Sequence, residues 1–153
     1  MLRDLRLICK QNEFHGRIVL FILYFEKISL MKFPFAVLRR LLIEMLYNTQ
    51  MNPDVFINKQ AIATCRLPHP FMIIFHRSSR IGAGSTIFHG VTVGSSEREG
   101  KSDAAIIGDN VYLGCKSSII GQINIVNGVK VGAHALVLKD VTEIGQTIVG
   151  VYK

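Results

Sequence analysis

Branched aliphatic residues recur at every sixth position along the second half of the chain. The series is Ile107, Leu113, Ile119, Ile125, Val131 and Val137, and the same frame runs upstream through Phe75, Ile81, Ile87 and Val93. A period of six fits neither an amphipathic α-helix nor a simple alternating strand. It is typical of a short strand, a turn and the next short strand, with three such hexads in each triangular coil. The pattern predicts a parallel β-helix whose stacked coils bury one continuous aliphatic column.

Two further positions of the hexad carry information. The position four residues after each anchor is small or aliphatic, and we expect it to fill the remaining interior of the coil. These residues are Ser79, Ser85, Val91, Val111, Ser117, Ile123, Val129, Ala135 and Val141. Glycine follows five of the anchors, where we expect the backbone to need a positive φ. The spacing does not specify the hand of the coil.

The pattern divides the chain into two parts. Residues 1–50 are predicted to be helical, because apolar residues recur there at spacings of three and four, and Pro34 is expected to separate two helices. Residues 54–153 are predicted to form the β-helix. A polar excursion loop is predicted at 95–105, where Val93 and Ile107 lie fourteen residues apart instead of twelve. We expect the helical part to cap the first coil or to pack between subunits, in preference to lying on a membrane.

Composition indicates which classes of partner and which cellular compartment to expect. The net charge of +7 is spread along the chain, and no nucleic-acid-binding motif accompanies it, so an anionic small molecule or a membrane surface is a better expected partner than a nucleic acid. Cys9, Cys65 and Cys115 have neither disulfide nor metal-site spacing, which indicates a reducing compartment and no metal. The apolar run 18–25 is too short to span a bilayer. We expect a cytoplasmic protein, with peripheral contact to the inner face of the membrane as an open alternative.

Three segments resemble the serine acetyltransferase-like branch of the hexapeptide acyltransferases. They are LPHPFMIIFHRSSRIGAGSTIFHGVTVG (67–94), IIGDNVYLGCKSSIIGQINI (106–125) and VGAHALVLKDV (131–141). Within that branch, the likeness is closest to acetyltransferases of colanic acid and capsule synthesis. The resemblance implies a left-handed parallel β-helix and a homotrimer with active sites in the grooves between subunits. It also implies acetyl-CoA as the co-substrate.

The same resemblance suggests catalytic residues. Transfer of an acetyl group to a hydroxyl needs a base, and the pKa of histidine suits that role near neutral pH. The likeness implies His69 as the base, held between two prolines, and Asp54 as the residue that orients it. His89 is implied to line the acceptor site and is the second candidate base. An ordinary surface histidine and an ordinary turn aspartate are the alternative interpretations. His15 and His76 are predicted to be solvated.

The resemblance also implies a path for acetyl-CoA. Cys115, Ala133, Leu138 and Lys139 lie at the positions that would contact the cofactor. Small side chains would let the pantetheine arm run against the backbone, and a lysine suits the phosphates of CoA. Cys115 is expected to be a contact and not a nucleophile, because such enzymes work by direct attack on the thioester.

The expected acceptor follows from a departure from the family pattern. Serine acetyltransferases hold the amino acid with an aspartate before the histidine and an Arg-His pair in the loop, where this chain has Pro68 and Asp103-Ala104. Without that arginine the carboxylate of serine lacks its obvious partner. The sequence therefore predicts an O-acetyltransferase acting on a sugar hydroxyl of a bacterial surface polysaccharide. Serine O-acetylation and a non-catalytic β-helix scaffold are the alternatives.

Overall fold

A computed structural model describes residues 1–28, 30, 32–96 and 104–153. In the β part of these ranges, parallel strands of two or three residues follow one another along the chain. They are β1 (Ile74–Phe75), β2 (Arg80–Ile81), β3 (Thr86–Ile87), β4 (Thr92–Gly94), β5 (Ile106–Ile107), β6 (Tyr112–Leu113), β7 (Ser118–Ile120), β8 (Asn124–Ile125), β9 (Lys130–Val131), β10 (Leu136–Val137), β11 (Thr147–Ile148) and β12 (Val151–Tyr152). Each strand is too short to be stable alone, so the stack of coils is the unit that folds.

Three parallel sheets form the walls of a prism. Sheet A has the order β1-β4-β7-β10-β12, sheet B the order β2-β5-β8, and sheet C the order β3-β6-β9-β11. Up to β10 each strand pairs with the third strand after it, and Ile74 lies opposite Thr92, eighteen residues later. At the end of the stack, β9 pairs with β11 and β10 with β12. The parallel β-helix predicted from the sequence is therefore confirmed, while its left hand remains an expectation from the resemblance.

The three turns of each coil stack in columns that we name by the sheets they join. The AB corner comprises 51–55, 76–79, 121–123 and 138–140. The BC corner comprises 82–85, 108–111, 126–129 and 142–146. The CA corner comprises 67–73, 88–91, 114–117, 132–135 and 149–150. A residue at a corner therefore lies above or below the residue one coil away.

The interior follows the predicted frame. All ten predicted anchor residues are at most 5% exposed, and the small or aliphatic positions four residues after each anchor are buried as well. Ser79, Ser85 and Ser117 are fully buried among them. The two hexad positions together fill the axis of the coil, as the sequence predicts.

Glycine is required after the anchors for a different reason from the one we expected. Gly82 and Gly114 are not among the residues with positive φ. A Cβ on Gly82 would lie 2.7 Å from the carbonyl carbon of Gly108, and a Cβ on Gly114 would lie 2.7 Å from the nitrogen of Ala133. The backbone of the next coil passes too close for any side chain. Close approach between coils, and not left-handed backbone, therefore selects glycine there.

The excursion between β4 and β5 is longer than the spacing suggested. Ile81 pairs with Ile107, twenty-six residues later, so this coil has eight residues more than the coil before it. Val93 and Ile107 are thus consecutive anchors, and their expected separation is six residues instead of twelve. Most of the predicted loop at 95–105, including Glu97, Arg98, Glu99 and Asp103, lies outside the described residues.

The coil also extends beyond the regular hexads at both ends. Gln50, Phe56 and Arg66 bridge to the first strands of sheets A, B and C, so an irregular coil precedes β1. After Val137 the period fails, because Glu143 occupies the next anchor position. Val141 and β11 nevertheless continue the stack, with shortened turns.

Four α-helices come before the regular coils in the described part of the chain. They are α1 (Leu2–Gln11), α2 (Phe14–Glu26), α3 (Lys32–Leu38) and α4 (Lys59–Thr64), and a π-helical turn, Arg39–Glu44, continues α3. Pro34 lies in the first turn of α3 and does not separate two helices, because the first turn has no internal N–H bond for proline to remove. None of the described helices combines the length and the apolar character needed to cross a bilayer.

The helices close the first end of the coil. Lys27, just after α2, donates to the carbonyls of Pro53 and Phe56 in the irregular first coil, at 2.8 and 2.6 Å. The buried carboxylate of Glu26 pairs with Arg39 at 2.9 Å, which ties α2 to the π-helical turn. The apolar cores of the helices and the coil form one continuous cluster. The helical part thus supplies the cap that the exposed end of a repeat stack requires.

We predict that Gly82→Ala destabilises the fold far more than Gly94→Ala. The added methyl at Gly82 meets the backbone of Gly108, whereas at Gly94 it meets only the flexible end of Ile120, at 3.2 Å. Overpacking of this kind costs about 1–3 kcal/mol. Thermal unfolding should show a drop in Tm of roughly 2–4 °C for each kcal/mol lost. Equal Tm values for the two variants would contradict the close-approach explanation.

Candidate functional site

Two histidines meet at the CA corner. The ring centroids of His69 and His89 are 6.3 Å apart, in an edge-to-face arrangement. His69 is exposed, and His89 is half-buried. His69 lies in the irregular coil before β1, and His89 lies in the first regular turn of the same column. Stacking of the coils therefore brings together two imidazoles that are twenty residues apart in sequence.

The CA corner continues from His89 towards the end of the chain. Gly90 N–H donates to the carbonyl of Phe71 at 3.0 Å, and Lys116 N–H donates to the carbonyl of His89 at 3.0 Å. His134 N–H in turn donates to the carbonyl of Cys115 at 2.9 Å. Cys115 and Ala133 thus lie in successive turns of the column that carries His89.

Residues of the helical part hold the segment that carries His69. The buried side chain of Asn12 accepts from Leu67 N–H at 2.7 Å and donates to the carbonyl of Cys65 at 2.9 Å. Gly16 of α2 allows this contact, because a Cβ there would lie 2.5 Å from the carbonyl oxygen of Leu67. Beyond the histidine, buried Thr49 donates to the carbonyl of Pro70 at 2.8 Å. The segment around His69 is therefore fixed on both sides.

An aromatic cluster supports the same corner. The ring of Phe71 stacks on Tyr47 with centroids 5.1 Å apart, and it lies 5.7 Å from the ring of His15. His15 Nδ1 is 2.9 Å from the hydroxyl of Tyr47. His15 is exposed, as predicted, and these contacts also hold its ring against the cluster.

Asp54 lies at a different corner from His69. It belongs to the short 3-10 turn Pro53–Val55 at the AB corner, where its N–H donates to the side chain of Asn52. Its carboxylate lines a cavity of about 770 Å³ with Lys27, Arg77 and Arg80. Burial lowers the pKa of Lys27, and the nearby charge of Asp54 acts in the opposite direction. Among the described residues no hydrogen bond or ion pair joins Asp54 to His69.

The remaining cofactor candidates also lie at the AB corner. Leu138 N–H donates to the carbonyl of Tyr152 at 2.9 Å, and the amine of Lys139 lies 4.7 Å from the centre of the Tyr152 ring. Leu138 borders a groove of about 500 Å³ together with Ile120 and Lys153. Within one chain, the predicted cofactor residues are thus divided between two corners of the prism.

Two side chains that support or flank the site were not predicted from the sequence. Asn12 looks like an ordinary residue between two helices, and only its contacts with Cys65 and Leu67 reveal its role. No sequence motif draws attention to Lys116, and only its left-handed backbone, with φ of 56°, marks it as unusual.

His76 was predicted to be solvated, but its Nδ1 accepts from Ser78 N–H at 3.3 Å.

Comparison with known proteins identifies similar chains. The chain is 31% identical to a serine acetyltransferase of Staphylococcus epidermidis over 102 residues, which cover 67% of this chain and 46% of that protein. It is 30% identical to a serine acetyltransferase of Mycobacterium tuberculosis over 61% of this chain and 42% of that protein. The chain thus spans about half the length of the curated relatives that it matches. No protein-family model matches it.

Solved structures give the same result. The crystal structure of Neisseria gonorrhoeae serine acetyltransferase in complex with serine matches 86% of this chain and 52% of that chain, with a TM-score of 0.66 and 27% identity. A serine acetyltransferase in complex with CoA matches at a TM-score of 0.61 and 21% identity over 82% of this chain and 49% of that chain, which supports the fold alone. Together, the comparisons show that this chain is similar to part of the serine acetyltransferases.

These matches correct the predicted acceptor. Relatives at about 30% identity are named serine acetyltransferases, so the prediction of a sugar O-acetyltransferase is wrong and its stated alternative, serine, is favoured. The sequence argument depended on the absence of an Arg-His pair at one position of the loop, where this chain has Asp103-Ala104. A positive charge can instead come from another element of the fold, which a motif comparison does not detect. The closer likeness to capsule-synthesis acetyltransferases stays a prediction.

We predict that Asn12→Ala lowers the free energy of unfolding and loosens the segment around His69. The substitution leaves the N–H of Leu67 and the carbonyl of Cys65 without their side-chain partner. An unsatisfied buried polar group costs about 1–3 kcal/mol. Hydrogen exchange of the Leu67 amide should accelerate along with the fall in Tm.

Asn12→Asp serves as the comparison, because a carboxylate can still accept from Leu67 N–H. It should leave the Leu67 amide better protected than Asn12→Ala does. Unchanged exchange at Leu67 in both variants would show that Asn12 does not hold this segment.

Proposed function

We propose that this protein is an acetyl-CoA-dependent O-acetyltransferase that acetylates the hydroxyl of serine. The single observation that carries the proposal is the match to serine acetyltransferases, in sequence at 31% identity and in structure at a TM-score of 0.66. The paired imidazoles at the CA corner are consistent with the chemistry, because a hydroxyl needs a base as it attacks.

The geometry favours His89 over His69 as the base. His89 is half-buried and lies in the regular stack, where its carbonyl is fixed by Lys116 N–H. It is one turn from Cys115, whereas His69 is a further turn away and exposed. A base must be held close to the thioester that its substrate attacks. We therefore assign proton removal to His89, and His69 flanks it at ring-contact distance. The role predicted for His69 from the resemblance stays the alternative.

The reaction then needs one proton carrier and no covalent enzyme intermediate. The imidazole of His89 takes the proton of the serine hydroxyl as its oxygen bonds to the thioester carbonyl carbon. When the carbon–sulfur bond breaks, the imidazolium returns the proton to the departing thiolate of CoA. O-acetylserine and CoA are the products. A positioned base of this kind contributes about 10²–10⁴-fold in rate.

The CA corner suits the pantetheine arm. Cys115 is half-buried and Ala133 is exposed, so two successive turns present small side chains that solvent can reach. Leu138 and Lys139 lie at the AB corner instead. One binding path that uses both sets requires the CA corner of one subunit to face the AB corner of another. This supports the homotrimer implied by the resemblance, which stays a prediction here.

We predict that His89→Ala lowers kcat for serine acetylation by about 10²–10⁴-fold, and that His69→Ala has a smaller effect. Release of CoA from acetyl-CoA in the presence of L-serine is the measurement, with circular dichroism to verify the fold of each variant. A large loss in His69→Ala alone would restore His69 as the base. Full activity in both variants would exclude both histidines as the base, and a parent protein that releases no CoA with L-serine would contradict the proposed function.

We predict that CoA protects Cys115 from alkylation. Cys115 is half-buried on the proposed path of the pantetheine arm, whereas Cys9 is exposed on α1 and serves as an internal control. Cys65 is buried, which raises the pKa of its thiol to about 12 and should keep it unmodified throughout. Mass spectrometry after iodoacetamide treatment, with and without CoA, measures each site separately. Equal labelling of Cys115 in both samples would exclude this path.

A further inference from the structure

Left-handed backbone recurs at the CA corner. In each turn one residue has a positive φ, and these residues are Met72 (55°), Gly90 (70°), Lys116 (56°), His134 (59°) and Gly150 (69°). Glycine adopts this conformation without steric cost, and a residue with a Cβ does not. The turn geometry therefore favours glycine at every one of these positions. One of these positions nevertheless carries a long charged side chain, although its backbone conformation favours glycine.

Lys116 is the residue of this series that lies against the proposed base. Its N–H donates to the carbonyl of His89 at 3.0 Å. A Cβ placed on Gly90 would lie 2.9 Å from Cγ of Lys116, so the lysine stem crosses the backbone immediately after His89. The side chain is exposed, and Lys116 takes part in none of the ion pairs formed among the described residues. The side chain of Lys116 thus starts next to the backbone of His89, and no ion pair with a described residue neutralises its charge.

The acceptor supplies a charge that this lysine can bind. A free amino acid such as serine has a carboxylate close to its hydroxyl, and a carboxylate forms strong, charge-assisted hydrogen bonds with an ammonium group. A cation beside the base would hold the carboxylate while the hydroxyl meets the imidazole. Strained backbone at such a place is one way in which a fold positions a functional side chain.

We infer that Lys116 binds the carboxylate of the amino-acid acceptor, an inference that rests on the proposed function. It assigns a cation to the role of the family's loop arginine, whose position Asp103 occupies in this chain. It also explains why lysine stands where glycine would be easier to accommodate.

Lys116→Gly separates this role from a structural one. A structural role predicts a lower Tm for the variant, whereas a role in binding predicts a higher Tm together with weaker binding of serine. Glycine relieves the strained φ, so Tm should rise, while loss of the ammonium should raise KM for L-serine about tenfold or more. The value of kcat should change much less. With L-serinamide, which lacks the carboxylate, the variant and the parent should have the same KM. Lys116→Arg keeps the charge and should keep KM for serine within a few-fold.

Asn110→Gly is the matched control. Asn110 has the same φ of 56°, but it lies at the BC corner, away from the histidines. Its replacement should raise Tm slightly, because asparagine tolerates this conformation better than lysine does, and it should leave KM for serine unchanged.

Three outcomes overturn the inference. KM for serine in Lys116→Gly could equal that of an active parent, or the variant could lose affinity for serinamide as strongly as for serine. KM for acetyl-CoA could rise instead, which would assign Lys116 to the phosphates of CoA. A parent protein that releases no CoA with serine refutes the proposed function itself, and the inference fails with it. Serine turnover by the parent with an unaffected variant refutes the inference alone.

Discussion

Parallel pairing between coils at a fixed register is the constraint on which the rest of the structure depends. Ile74 lies opposite Thr92, and Ser118 lies opposite Leu136, eighteen residues apart in both pairs. This register keeps every anchor on the axis and every turn above an equivalent turn. A shift of one residue would turn the aliphatic side chains outwards. The same register brings His89, Cys115 and Ala133 into one column, so the core and the candidate site depend on a single geometric condition.

The sequence predicted what the periodicity controls and missed what contacts between coils control. The anchors and the small interior positions were found because burial on a repeating axis leaves a repeating pattern. The reason for Gly82 and Gly114 was missed, because the closeness of a neighbouring coil is not visible along the chain. Pro34 was misplaced because proline is compatible with both a break and a first helical turn. The predicted pair of Asp54 and His69 depended on spacing alone, and the coil sends the two residues to different corners.

The helical segment contributes to the site as well as to the fold. A hexapeptide pattern cannot identify Asn12 and Gly16, because they lie in the helical segment. They nevertheless contact the backbone two residues before His69. The first coil is irregular and includes α4, so its backbone polar groups cannot all pair with a neighbouring strand. Side chains of the cap satisfy them instead, as buried polar groups require. The cap therefore fixes the segment that carries His69, which precedes the regular coils.

The wrong prediction of the acceptor shows a limit of motif comparison in a repeat protein. A motif locates a function at one position of the sequence, whereas a stacked coil offers equivalent positions in every turn of a column. At the CA corner these positions share one backbone conformation, so a charged residue in any turn projects from the same edge. The role of an arginine at one position of the excursion loop can thus pass to Lys116, one turn from His89, without any change in the fold. The chemistry of such a site is set by which turn carries the unusual residue. The strained positions of the column are therefore where the specificity of this chain is to be sought.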